Sequence, residues 1–373
     1  MRGVSRIAAT YRIRADARAI AERAKAIAVE QSVEMPVQAI DDARVLAEIV
    51  GRVEDIQDLG DGSFAVRVGL AVATTGPEPG QLLNMLFGNS SIHDDVTLED
   101  AALPPEILAA FGGPRQGIAG LRARCGAPGG TGARAMTCSA LKPQGLGPEA
   151  LARLAGRLAE GGIDFIKDDH GLADQAYSPF AERVRAVTRE VAAANRRTGA
   201  RTRYAPSLSG TLDQMRAQIR AARAAGVDTL LIAPMIAGVA TFHALVREFP
   251  DMAYLAHPAL AGASRIAPPL LIGTLFRLLG ADATVFPNHG GRFGYSPATC
   301  LKIAEAARGA LGPLKPCAPV PAGGMTRDRV GEMLDFYGSD VVLLIGGGLL
   351  AARDELTQEA AAFQREVASF ARA

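Results

Sequence analysis

Hydrophobic and polar positions follow two different rhythms along this chain. Up to about residue 125, alternating or β-rich segments (6–13, 44–57 and 64–72) are mixed with amphipathic helical segments (15–29 and 79–87). This mixture predicts a small α+β domain. A stretch rich in glycine, residues 126–132, then interrupts the pattern. We therefore expect an α+β domain over residues 1–130 and a second domain over residues 131–373.

The second region repeats one unit, a short apolar run followed by a Gly, Pro or His turn and an amphipathic helix. Eight such units predict a (β/α)8 TIM barrel, and an open doubly wound sheet is the alternative because periodicity does not reveal strand closure. Active sites of barrels lie at the C-terminal ends of the strands. Those ends are expected near Lys142, Lys167, Ser207, Pro234, His257, His289, Gly323 and Gly346.

Composition excludes several classes of protein. The chain has 373 residues, of which 49% are apolar and 21% charged, and 40 basic residues face 39 acidic ones. This balance favours a globular protein over a disordered chain or a nucleic-acid-binding polycation. No apolar run approaches the ~20 residues of a membrane span, and no signal peptide is evident. We expect a cytoplasmic protein without membrane or nucleic-acid partners, with buried thiols at Cys125, Cys138, Cys300 and Cys317.

Charged residues end two neighbouring strands of the predicted barrel. Lys167, Asp168 and Asp169 follow an apolar strand, where they are costly unless they are paired or bind a metal. A salt-bridged, purely structural barrel mouth is the alternative. Lys142 ends the preceding strand, and two close ammonium groups disfavour each other's charge, which promotes proton transfer or carbamate formation. Taken alone, Lys142 could simply extend into solvent.

Glycine pairs end the last two strands of the predicted barrel. Gly323 and Gly324 follow strand seven, and Gly346 and Gly347 follow strand eight, where bare backbone N–H groups can bind a phosphate. Tight turns that require a positive φ are the alternative.

Histidine and arginine side chains lie near these turns in the predicted barrel. His289 and Arg292 follow strand six and could add a contact to an anion. His257 is either a core histidine or an acid–base group.

Two of these segments resemble a known family. Gly-Gly-Ile-Asp-Phe-Ile-Lys-Asp-Asp, around Lys167, resembles the activation motif of ribulose-bisphosphate carboxylase (RuBisCO), and Leu-Lys-Pro-Gln-Gly-Leu-Gly, around Lys142, resembles its proton-transfer motif. Glu30, Asn89, the two histidines and the glycine pairs match in order, so the resemblance covers nearly the whole chain. It implies a ferredoxin-like α+β domain before the TIM barrel, and a homodimer in which Glu30 and Asn89 complete the partner's active site.

The resemblance also implies roles for the individual residues. Lys167 would react with CO2 to give a carbamate, which would hold Mg²⁺ together with Asp169 and His170. Lys142 or His257 would carry a proton of the substrate. A sugar phosphate would be bound by His289, Arg292, Gly323, Gly324, Gly346 and Gly347.

Four departures from the carboxylase pattern are informative. His170 replaces a carboxylate ligand, and Mg²⁺ favours a neutral nitrogen ligand less. Ser296 replaces the lysine of the mobile loop that stabilises the new carboxylate. Pro258 replaces an arginine that binds a second phosphate, and Gln144 replaces another lysine. The chain is therefore identified as a RuBisCO-like protein, which implies Mg²⁺-dependent enolisation of a singly phosphorylated ketose, such as methylthioribulose 1-phosphate, without CO2 fixation.

Other activities stay open at this point. The same enolate chemistry could serve C–C cleavage or decarboxylation of a 3-oxo sugar-acid phosphate. The chain could also be a catalytically inactive protein that binds a sugar phosphate, or an aldolase that forms a Schiff base through Lys142 or Lys167.

Overall fold

The structure is a computed structural model that describes residues 4–130 and 133–370. The chain divides into two compact units. The first runs to Gly112 and adds residues 260–271 and 311–313, and the second contains the remainder. The helix Gly117–Cys125 therefore falls in the second unit. The domain boundary near residue 130 stays a prediction.

The first unit is built on a four-stranded sheet with the order β2-β3-β1-β4. Every second residue of β1 is buried from Ile7 to Ile13, as expected of a strand with one face on a core. Strand β1 pairs antiparallel with β3 and with β4. The elements are β1 (Arg6–Arg14), α1 (Ile20–Glu30), β2 (Arg52–Asp58), β3 (Ser63–Ala71), α2 (Val72–Thr75), α3 (Pro79–Phe87), β4 (Val96–Ala102) and α4 (Pro105–Phe111).

Two sequence predictions differ from the structure in this unit, and one strand was not predicted. The segment 44–57 is not one strand, because Val45–Ile49 forms a helical turn and only β2 is extended. The helix predicted from residue 15 begins at Ile20. Strand β4 was not predicted, since Glu99 and Asp100 interrupt its alternation where its pairing with β1 shifts register.

The second unit contains the eight parallel strands of the predicted barrel. They end one or two residues from the predicted positions and follow one another around the barrel in chain order, with β12 pairing onto β5. The (β/α)8 prediction is confirmed. The strands are β5 (Met136–Leu141), β6 (Phe165–Asp168), β7 (Arg203–Ala205), β8 (Thr229–Ile232), β9 (Ala253–Ala256), β10 (Ala283–Pro287), β11 (Ala318–Ala322) and β12 (Val342–Leu344).

Hydrogen bonding divides the barrel into two sets of four strands, β12-β5-β6-β7 and β8-β9-β10-β11. A parallel bridge between Ser207 and Leu231 joins β7 to β8. Strands β11 and β12 lie side by side, but within the described residues no ladder hydrogen bond joins them. The barrel is thus continuous around its circumference except at this one junction.

Helices alternate with the strands and cover the barrel. The amphipathic face of α6 buries Leu151, Ala155 and Leu158, and α15 packs beside it. All four cysteines are buried free thiols, as their spacing predicted. None of the described helices is long and apolar enough to cross a membrane. The helices of this unit are α5 (Gly117–Cys125), α6 (Pro148–Glu160), α7 (Phe180–Thr198), α8 (Leu212–Ala224), α9 (Pro234–Ala237), α10 (Val239–Glu248), α11 (Phe276–Leu278), α12 (Pro297–Arg308), α13 (Val330–Tyr337), α14 (Gly347–Leu350) and α15 (Leu356–Phe370).

Candidate active site

Parallel pairing of β5 and β6 brings the charged residues of both strand ends together. The register pairs Ala140 with Lys167 and Leu141 with Asp168. Lys142 therefore comes level with Asp169, and its Nζ lies 3.0 Å from Asp169 Oδ1. The structure brings Lys142, Lys167, Asp169 and His170 to one end of the barrel.

Three nitrogen atoms lie close to one carboxylate oxygen of Asp169. Its Oδ1 lies 3.0 Å from Lys142 Nζ, 3.2 Å from His170 Nδ1 and 3.1 Å from the His170 backbone nitrogen. Burial alone raises the pKa of Asp169, but these hydrogen bonds and the nearby cations outweigh it and hold the pKa well below its usual range. Among the described residues no donor contacts Oδ2, so this ionised carboxylate keeps one oxygen available for a cation.

Lys167 is almost completely enclosed, with 3% of its surface exposed. Its Nζ donates to the Asp168 backbone oxygen at 3.0 Å and, within the described part of the chain, forms no ion pair. Burial lowers the pKa of Lys167; Cys138 and Asp169 oppose this shift, and Lys142 adds to it. This environment therefore shifts Lys167 toward the neutral amine, which is the form that reacts with CO2.

Asp168 has a structural role. Its carboxylate accepts hydrogen bonds from Arg183 Nε at 3.0 Å, Tyr204 OH at 2.7 Å and the Ser207 backbone nitrogen at 3.0 Å. Asp168 and Arg183 are both fully buried. This pair fixes the end of β6, and with it the backbone of Lys167 and Asp169. Sequence analysis missed Arg183, although an arginine on the apolar face of α7 was a signal of a buried ion pair.

His257 stacks on His170. The two rings are nearly parallel, with centroids 4.1 Å apart. The backbone nitrogen of Ala259 donates to His257 Nδ1 at 3.1 Å, so the proton of the neutral ring lies on Nε2. Burial, the largest cause, lowers the pKa of His257 to about 2. His257 is therefore suited to donate a hydrogen bond through Nε2.

The loop after β10 packs against the glycine turn after β11. The backbone nitrogen of Arg292 donates to the Gly323 oxygen at 2.8 Å. Gly323 and Gly324 have φ values of +84° and +102°, and a Cβ on Gly324 would lie 3.0 Å from the Arg292 nitrogen. These glycines are thus required by the turn and by the close approach of the two loops.

His289 begins the same loop. Its ring lies 4.8 Å from that of Phe336, between centroids. Its Nε2 is buried and, among the described residues, has no hydrogen-bond partner. Such a group is costly unless a ligand or water satisfies it.

The second glycine pair lies beside the end of β5. Gly346 follows β12, and a Cβ placed on it would lie 3.7 Å from the Cβ of Ala140. Gly347 has open space around it and begins the short helix α14.

Ser296 has a local structural function. It is the N-cap of α12, and its Oγ accepts the Thr299 backbone nitrogen at 3.1 Å.

Glu30 and Asn89 belong to the first unit and lie together there. Asn89 Nδ2 donates to Glu30 Oε1 at 2.9 Å and to Glu34 Oε1 at 2.8 Å. The structure thus joins the two residues implied by the resemblance and adds Glu34, which sequence analysis missed.

The donor set fits a hard cation only when Lys167 is carbamylated. Among the described residues no group of three or more His, Cys, Asp or Glu side chains could hold a metal. Asp169 offers one carboxylate and His170 one nitrogen. A carbamate on Lys167 would add the second anionic oxygen ligand that Mg²⁺ prefers.

Comparison with known proteins identifies the family. The family model "Ribulose bisphosphate carboxylase large chain, catalytic domain" matches residues 117–291. The chain is 62% identical to the 5-methylthioribulose-1-phosphate isomerase of Rhodospirillum rubrum, over 98% of this chain and 97% of the relative. It is 59% identical to ribulose bisphosphate carboxylase-like protein 1 of Rhodopseudomonas palustris, over 98% of each.

A solved structure agrees with these sequence matches. The crystal structure of a Rubisco-like protein from Rhodopseudomonas palustris superposes with a TM-score of 0.91, at 56% identity over 98% of both chains. The ferredoxin-like and TIM-barrel architecture is thereby confirmed. With relatives this similar over nearly its full length, the chain belongs to the RuBisCO-like proteins, a family of enzymes related to the carboxylase large chain.

Proposed function

We propose that this chain is an isomerase that acts through an enolate on 5-methylthioribulose 1-phosphate or a close phosphorylated ketose. The observation that carries the proposal is the cluster of Lys142, Lys167 and Asp169 at the ends of β5 and β6. It combines an enclosed lysine side chain, a solvent-accessible lysine side chain and an ionised carboxylate. The substrate is taken from the name of the Rhodospirillum rubrum relative.

The proposed cofactor is Mg²⁺ with a carbamate on Lys167. The carbamate, Asp169 and His170 would hold the ion, which would polarise the substrate carbonyl and stabilise the enolate. Two features support this choice: the enclosed amine of Lys167 and the Oδ2 of Asp169, which no described donor contacts.

Proton transfer is assigned to Lys142. Its side chain is 37% exposed, whereas that of Asp169 is 10% exposed, so Lys142 can exchange protons with solvent. As a neutral amine it would remove the proton from the hydroxyl-bearing carbon next to the carbonyl and return it to the former carbonyl carbon. The hydroxyl proton of the first carbon would pass to the oxygen of the second, so that the carbonyl moves by one position. His257 would donate a hydrogen bond from Nε2 to a substrate oxygen and would not act as the base, since its Nδ1 is occupied by Ala259.

Phosphate binding is assigned to the loops after the last three strands. His289 Nε2 is buried without a described partner and would donate to the anion, and Arg292 supplies a cation in the same loop. Backbone N–H groups of the glycine pairs Gly323–Gly324 and Gly346–Gly347 would complete the site.

CO2 fixation is not part of the proposed activity. The family's loop lysine is replaced by Ser296, whose Oγ caps α12. Loss of a preorganised cation costs on the order of 3 to 4 kcal/mol of barrier. We also propose a cytoplasmic homodimer in which Glu30 and Asn89 reach the partner's site; the four free thiols suit a reducing compartment.

Product analysis tests the reaction. The protein is incubated with Mg²⁺ and bicarbonate in D2O with 5-methylthioribulose 1-phosphate, and deuterium incorporation and products are followed by NMR. Isomer with deuterium next to the carbonyl is expected, whereas a cleaved or decarboxylated product, or substrate bound without exchange, would contradict the assignment. Parallel incubation of ribulose 1,5-bisphosphate with labelled bicarbonate should fix no label.

Chain mixing tests the shared site. Glu30→Ala and Lys167→Ala chains, each inactive alone, should regain activity when mixed, because each heterodimer has one intact site. No recovery after verified exchange of chains would show that each site is built from one chain.

A further inference from the structure

Glu34, like Glu30, accepts a hydrogen bond from the side-chain amide of Asn89. Asn89 Nδ2 lies 2.9 Å from Glu30 Oε1 and 2.8 Å from Glu34 Oε1. An amide nitrogen carries two hydrogens, so both are used by the two carboxylates. The carbonyl oxygen Oδ1 is then the atom that Asn89 can offer to a substrate.

The backbone around Asn89 is fixed without Glu34. The side chain of Gln31 is buried; its Nε2 donates to the backbone oxygens of Asn84 and Met85 at 3.1 and 2.8 Å. Its Oε1 accepts the backbone nitrogen of Ser90 at 3.2 Å. These bonds tie the segment that carries Asn89 to the end of α1. What Glu34 adds is control of the Asn89 side chain.

Glu34 is an unfavourable residue for its backbone position. Its φ is +53°, one of three positive values among the described residues other than glycine. Its N–H donates to the Val29 oxygen at 3.0 Å just after α1 ends, where glycine or asparagine is usual. A glutamate in this conformation costs backbone free energy, so we expect its side chain to form an interaction that compensates for this cost.

We propose that Glu34 is a positioning residue for catalysis. With Glu30 it fixes the amide of Asn89, so that Oδ1 faces the substrate bound by the partner chain. Glu34 itself does not touch the substrate. This inference rests on the shared active site proposed above.

Two substitutions separate orientation from stability. Glu34→Gly relieves the positive φ and removes the acceptor, so kcat should fall about tenfold while Tm stays equal or rises. Glu34→Gln keeps the strained backbone and an acceptor oxygen, and it should stay within about threefold of the wild-type kcat. The control Arg353→Gly relieves another positive φ, +47°, and it shows how far that relief alone raises Tm. Wild-type kcat and KM in Glu34→Gly would overturn the proposal.

Chain mixing shows in which site Glu34 acts. Glu34→Gly chains are mixed with inactive Lys167→Ala chains, and each heterodimer then has one site with intact Lys167 and the partner's intact Glu34. For a tenfold defect, random exchange should raise activity about fivefold over the unmixed average. Without such a rise, Glu34 does not act on the partner's site. If the mixture with Glu30→Ala recovers and this one does not, only the role of Glu34 is wrong; if neither recovers, the shared site is wrong as well.

Discussion

Removing the Arg183 guanidinium should destabilise the barrel and distort its site. Arg183→Met leaves the Asp168 carboxylate fully buried with only Tyr204 OH and the Ser207 nitrogen as donors. Breaking a buried pair in this way costs about 3 to 5 kcal/mol. At about 2 to 4 °C per kcal/mol, Tm should fall by roughly 6 to 20 °C. Because Asp168 lies between Lys167 and Asp169, kcat should also fall at temperatures well below the new Tm, where the variant is still folded.

The loss should depend on pH. Burial raises the pKa of Asp168, and Arg183 is the strongest of the groups that oppose this rise. In Arg183→Met the pKa of Asp168 in the folded state therefore lies further above its value in the unfolded state. The stability that folding gains from protonated Asp168 is lost as pH rises through this folded-state pKa. The difference from wild type should be larger at pH 8 than at pH 5.

Urea unfolding followed by far-UV circular dichroism measures both effects, since the chain has no tryptophan to report by fluorescence. Tyr204→Phe removes a single donor and serves as a graded comparison, with an expected loss of about 1.5 to 3 kcal/mol. The double variant Asp168→Asn with Arg183→Met removes both charges of this pair and should be more stable than Arg183→Met at pH 8. A loss below about 1 kcal/mol in Arg183→Met, or no dependence on pH, would refute this account of the β6 end.

Three further outcomes are expected. Lys167→Ala should lose turnover while its Tm stays within a few degrees of wild type, and a folded variant with the wild-type rate would remove Lys167 from the site. Ser296→Ala should lower the free energy of unfolding by about 0.5 to 2 kcal/mol through loss of the α12 cap, measured by urea titration, whereas an unchanged value would show that the cap contributes nothing. Chelator should abolish activity, and Mg²⁺ with bicarbonate should restore it; full activity in chelator would argue for metal-free acid–base chemistry.

The barrel was predictable because each β/α unit carries its own signal. The strand ends lie within two residues of the predicted positions, and the family motifs occur at those ends. The first unit was less predictable, since β4 is recognisable only by its pairing with β1.

Roles that depend on distant contacts were not predictable. Lys167, Asp168 and Asp169 are consecutive charged residues at one strand end, and the sequence does not distinguish their roles. Only the contacts of Asp168 with Arg183 and Tyr204 show that its role is structural. Glu34 escaped notice because its contact with Asn89 spans 55 positions. Local patterns report which face of an element is buried, but they do not report such side-chain pairings.

The junction between β11 and β12, where no described residue forms a ladder bond, is the line along which we expect the barrel to open most readily. Since a bridge joins β7 to β8, the hydrogen-bonded strands form two half-barrels of four strands each. Lys142, Lys167 and Asp169 belong to one half, and His257 and His289 belong to the other. Separation of the two halves would therefore move Lys142 and the proposed metal ligands away from the hydrogen-bond donors His257 and His289. Substrate that contacts both halves should hold them together, and it should therefore slow amide exchange along β11 and β12.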